Sequence, residues 1–87
     1  MAAPLVNAFR CSKAIYDALP AGVAPHDVGF LSSDGTTEFF VPGGQVSAME
    51  LGLSLAEDLE RGRFSLHEED GMAVVTVRQQ DLEREDW

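Results

Sequence analysis

Covalent chemistry has few starting points in this 87-residue chain: one thiol, Cys11, and two imidazoles, His26 and His67. A nucleophile needs a base within reach or a depressed pKa. Cys11 falls inside a helical stretch, with Arg10 next in sequence and so about 100° away around the helix. A helix interior does little to lower a thiol pKa, and Cys11 reads as a small, partly buried hydrophobe. His26 precedes Asp27 at the end of a loop and reads as a surface residue that bonds locally. His67 and Glu69 alternate onto one face of a strand, with Asp70 at the following turn and Glu68 on the other face. Two side chains do not make a metal site, since zinc takes three or four ligands and calcium several oxygens wrapped by a loop. These residues designate no catalytic group, no metal ligand and no cofactor.

Gly43-Gly44 ahead of a helix suggests an anion-binding loop. The G-x-x-x-x-G-K pattern is absent, however, and no Lys or Arg occurs from Asp27 to Glu60. Carboxylate pairs are plentiful, but none is flanked by the apolar residues that would raise a pKa for acid–base work. The chain therefore reads as a non-enzyme.

The elements that hold these residues are legible from their local signals. In Gly43–Gly62, Ser47 and Glu50 have capping-box spacing, Val46 and Leu51 can form a hydrophobic staple, and Arg61 and Gly62 suit a helix end. These signals predict a helix over Ala48–Arg61, with Leu51, Leu55 and Leu59 on its buried stripe. An earlier amphipathic helix runs from about Pro4 to Leu19, with Leu5, Ala8, Phe9, Ile15, Tyr16 and Leu19 on its apolar side, and the prolines and glycine of Pro20–Asp27 make a loop. VGFLSS and TTEFFV flank Asp34-Gly35, and FSLHEE and MAVVTV flank Asp70-Gly71, so each pair predicts a hairpin closed by a two-residue type I′ turn. The first turn pairs Ser33 with Thr36, Phe30 with Phe39 and Val28 with Val41. The second pairs Glu69 with Met72, His67 with Val74, Leu66 with Val75 and Phe64 with Val77.

These elements define an α+β fold of order α-β-β-α-β-β: a four-stranded antiparallel sheet of two Asp-Gly hairpins, with two helices packed on one face. The order is that of a ferredoxin-like β-α-β-β-α-β chain whose first strand has moved to the end. Residues 1–78 form one α+β domain, and residues 79–87 an acidic C-terminal tail in which Asp81 can cap a turn over Leu82–Asp86 and Trp87 packs.

Charge is the least ordinary property: 15 acids against 6 bases give a net −9. Residues 1–26 carry +1, residues 27–60 carry −7 and residues 61–87 carry −3. A field of that sign repels nucleic acid and anionic membrane and favours a basic protein partner. No apolar run reaches the length of a membrane span, the N-terminus carries no signal-peptide pattern, and a single cysteine fits a cytoplasmic setting.

Apolar positions beyond the core's needs, set among acids, suit a protein interface. The expected partner-binding residues are Met49, Leu53, Glu50, Glu57, Asp58 and Glu60 on the central helix, with Leu31 and Phe40 on the outer sheet face. The function expected is inhibition of a partner by occupying its surface, with nucleic-acid mimicry as one mechanism. In size and acidity the chain resembles small phage-encoded antagonists of host systems, including anti-CRISPR proteins, and that resemblance implies the same blocking role. The alternative is an accessory or assembly subunit that forms a homodimer through its outer sheet face or an edge strand.

Overall fold

The structure is a computed structural model that describes residues 3–87, with side-chain environments from Leu5 onward. Helix α1 (Ala3–Asp17) leads through a short 3-10 turn (Pro25–Asp27) to strands β1 (Gly29–Ser33) and β2 (Thr36–Pro42). Helices α2 (Gly44–Ser54) and α3 (Ala56–Glu60) follow, then β3 (Ser65–Glu69), β4 (Met72–Arg78) and the short α4 (Gln79–Leu82). The fold is α+β, with an antiparallel sheet in the order β1-β2-β4-β3. The second strands of the two hairpins pair at the centre and the first strands form the edges.

Both Asp-Gly turns are type I′, with Asp34 and Gly35 at φ 52° and 76° and Asp70 and Gly71 at φ 51° and 77°. Positive φ at both central residues matches the right-handed twist of the flanking strands. The turns set the register, giving Ser33↔Thr36, Phe30↔Phe39, Glu69↔Met72 and Leu66↔Val75. Val28 and Phe64 lie just before their strands instead of pairing within them, yet both pack against the core. Phe39, Val41, Ala73, Val75 and Val77 line one sheet face, and Cys11 and Ile15 of α1 with Leu51 and Leu55 of the α2–α3 segment close over it.

Three local details differ from the sequence reading. First, α1 is rolled about its axis, so that its buried stripe is Asn7, Cys11 and Ile15 while Leu5 and Phe9 face solvent. The Asn7 amide donates to the carbonyl oxygens of Leu82 (2.7 Å) and Arg84 (2.8 Å), and this polar contact turns the stripe inward. Second, α2 begins at Gly44, not Ala48. Gly43 at φ 111° turns the chain sharply out of β2, and Ser47, within the helix, donates to Pro42 O at 2.6 Å instead of capping. The staple does not form, because Val46 is exposed. Third, Leu55 (φ −106°, ψ 17°) interrupts the predicted single helix. The axis still carries on, because Leu55 N–H donates to Leu51 O and Leu59 N–H to Leu55 O.

The far end of α3 closes as expected. Gly62 N–H donates to Leu59 O and Arg63 N–H to Asp58 O, the paired bonds of a Schellman motif. Residues 79–87 belong to the packed fold. Trp87 Nε1 donates to Asp81 O at 2.7 Å, its ring lies 6.2 Å from Phe64, and the Arg63 guanidinium sits 5.6 Å from its centroid. The helical turn starts three residues earlier than expected, at Gln79 instead of Leu82. The Asp81 carboxylate accepts from Arg78 N–H at 3.0 Å and so supports the start of α4.

Candidate functional site

The groups with potential for chemistry are kept apart. Cys11 is 2% exposed, and burial pushes its thiol up to about 12, with the Asp58 and Asp81 carboxylates adding to the effect. A thiol held protonated in this way is a poor nucleophile. It borders an apolar cavity of about 150 Å³ between α1 and the sheet, together with Ala8, Ser12, Phe30, Phe39 and Leu82. Neither imidazole reaches it. His26 lies 3.5 Å from Asp27, and His67 lies 3.7 Å from Glu69 across the exposed outer face. Among the described residues, no three His, Cys, Asp or Glu side chains gather as a metal site would require.

The α2–α3 segment presents a different kind of feature. Its buried side carries Ser47, Leu51 and Leu55, whose spacing of four keeps them on one stripe against the sheet. The opposite side carries Val46, Met49 and Leu53, exposed at 66%, 64% and 81%. Continuing the same helical spacing leads to Glu57 and Glu60, both exposed, with exposed Glu50 beside Val46 and Leu53. The outcome is a stripe about 21 Å long, with Val46, Met49 and Leu53 and a flanking Glu50 in its first half and Glu57 and Glu60 in its second. No Lys or Arg interrupts it until Arg61, which pairs with Glu57 at 3.2 Å.

Of the eight expected partner-binding residues, five therefore lie along this stripe: Met49, Glu50, Leu53, Glu57 and Glu60. Asp58 points elsewhere. Its side chain is only 20% exposed and accepts from Arg63 Nη1 at 2.6 Å, while the second Arg63 amino group reaches Asp86 O. Leu31 and Phe40 lie on the opposite side of the molecule, on the sheet face that carries no helix. Leu31 is exposed, Phe40 is half-buried, and Val74 beside Phe40's strand is fully buried on that face by its neighbours. Seven of the eight thus fall on two separate surfaces, and Asp58 belongs to neither.

Val46, expected in a staple, joins the exposed stripe instead. The signal was present as spacing, since Val46, Met49 and Leu53 stand at i, i+3 and i+7. Leu5 and Phe9 leave the expected apolar side of α1 for a different reason. Nothing in the local pattern reveals that Asn7 has carbonyl partners 75 and 77 residues away.

No protein-family model, curated protein or solved structure matches the chain. No helix among the described residues is long and apolar enough to cross a membrane.

Proposed function

We propose that this chain is a non-enzymatic protein-binding module that lays the α2–α3 stripe into an apolar groove rimmed by Lys and Arg on another protein, and thereby blocks that groove. The observation that carries this reading is the exposure of Val46, Met49 and Leu53 on a helix whose other side is already committed to the core. Helix-in-groove recognition uses anchors at this i, i+3, i+7 spacing. The adjoining Glu50, Glu57 and Glu60 supply the charge that a basic rim complements, and they steer encounter from a distance. Where the partner's groove binds nucleic acid, these carboxylates take the places of phosphates and the module acts as an inhibitor.

The test replaces Glu50, Glu57 and Glu60 with Lys and leaves Asp58 intact, because Asp58 anchors Arg63 and its reversal would disturb the fold. Loss of partner capture with an unchanged circular dichroism spectrum supports the reading. Capture that survives the reversal, or that is indifferent to salt, counts against it.

A further inference from the structure

The two edges of the sheet are built differently. Strand β3 ends in His67, Glu68 and Glu69, charged or titratable residues of the kind that guard a free edge. Strand β1, Gly-Phe-Leu-Ser-Ser, has no charge and no proline, among the described residues it has no second partner strand, and its residues Phe30 and Leu31 are 62% and 53% exposed. The Ser33↔Thr36 pair that closes the two-residue turn is doubly hydrogen-bonded, so Gly29, Leu31 and Ser33 bond to β2. Phe30 and Ser32 consequently turn their N–H and C=O groups outward, with no partner strand.

The ground beside this edge is also unusual. The flank of α1 that borders Phe30 through Ala8 and Ser12 continues into Leu5 and Phe9, exposed at 76% and 68%. Neither α1 up to Tyr16 nor β1 contains a single Asp or Glu, in a chain of net charge −9. The acids lie mainly on the α2–α3 stripe, around β3 and in the C-terminal segment.

We infer that β1 pairs antiparallel with β1 of a second copy of this chain, forming a two-fold symmetric dimer with one continuous eight-stranded sheet. An uncharged, apolar strip is self-complementary, which a two-fold interface demands. The strand itself brings no carboxylate to the seam, and the nearest acids in sequence, Asp27 and Asp34, stand beyond its two ends. Overlap of the whole strand places the axis at Leu31, so Leu31 faces its own counterpart as a non-hydrogen-bonded pair. Phe30 and Ser32 of each copy then exchange backbone hydrogen bonds with Ser32 and Phe30 of the other, satisfying the outward groups. On the helix side, the two Phe30 rings meet diagonally across the axis, within aromatic reach. A standard interface buries roughly 800 Å² per partner, more than five strand residues supply, and the Leu5–Phe9 flank extends the contact in that direction. The guarded β3 edges stop the sheet from growing further, so assembly closes at two. The α2–α3 stripe takes no part, and the dimer stands or falls independently of the function proposed for it.

Sedimentation equilibrium of the full chain up to about 0.2 mM reads the outcome directly. The dimer predicts twice the monomer mass of 9.4 kDa, with association equal or tighter as salt rises, because salt screens the repulsion between acidic copies. Leu31→Lys keeps the monomer folded by facing Glu38 within its own hairpin, yet puts two like charges together at the axis. It is expected to weaken association more than tenfold with an unchanged circular dichroism spectrum. Leu31→Cys is expected to oxidise to a covalent dimer, since the non-hydrogen-bonded spacing suits a disulfide, while Ser33→Cys is not. A wild-type monomer across the whole range, a dimer indifferent to Leu31→Lys, or equal cross-linking at both cysteine positions would each overturn the inference.

Discussion

The Asn7 side chain joins the two ends of the fold: its amide nitrogen donates to Leu82 O and Arg84 O, 75 and 77 residues further along the chain. Both contacts are shielded, and Asn7 is itself buried. Substitution Asn7→Leu retains much of the volume but leaves two carbonyl oxygens without a donor. The expected cost is about 2–3 kcal/mol, or a fall of about 10–20 °C in the thermal midpoint. Trp87, the single tryptophan, packs on the same C-terminal segment, so its emission should shift to the red in the variant as that segment loosens. An unchanged midpoint and emission maximum would show that the tail is held by Trp87 and Asp81 alone.

Gly43 decides where α2 begins. A Cβ at this position would sit 2.1 Å from Ser47 Oγ, and the backbone is at φ 111°, where side chains are strained. Gly43→Ala must displace the Ser47 hydroxyl from Pro42 O and force the backbone to change, at a cost of about 2–4 kcal/mol. Ser47→Ala removes only the hydrogen bond and should cost about 1–2 kcal/mol. Chemical denaturation of the two variants checks this order, and equal losses would contradict it.

Cys11 makes stability depend on pH on the alkaline side. The folded state holds the thiol proton more tightly than the unfolded chain, where the group titrates near 9.0. Stability from this source is intact below pH 9 and declines as pH rises towards 12, by at most about 4 kcal/mol. Wild type should therefore lose more stability than Cys11→Ala between pH 8 and 11, as read from denaturation midpoints. At pH 8 the native thiol should react with a disulfide reagent at least a hundredfold more slowly than in the unfolded chain. Parallel pH profiles for the two proteins would contradict the burial of the proton.

Turn chemistry carried most of what was legible in the sequence. Two Asp-Gly dipeptides between alternating apolar runs specified both hairpins and their registers, because a two-residue turn leaves one pairing available. The apolar faces of those hairpins then implied helices on a single side. What remained hidden depended on distant contacts or on backbone freedom. The roll of α1 follows from the Asn7 contacts, and the early start of α2 follows from the conformation of Gly43, which a Ser47–Glu50 capping pattern concealed. The candidate surface was legible in part for the same reason. Leu53 and Glu57 followed from helical spacing, whereas the commitment of Asp58 to Arg63 needed the Schellman turn that brings Arg63 back against it.

The α2–α3 stripe as a partner surface is the central claim, and its most direct test is the dissociation constant of one captured partner for four proteins. These are wild type, Leu53→Glu, the Glu50/Glu57/Glu60→Lys triple variant, and Leu31→Lys on the opposite side of the molecule. Leu53 is 81% exposed, so its replacement leaves the core untouched. Both stripe variants are predicted to weaken binding by at least about tenfold to a hundredfold, while Leu31→Lys binds at the affinity expected for one module. Undiminished affinity in both stripe variants, with loss in Leu31→Lys alone, would contradict the claim and move the partner surface to the sheet edge.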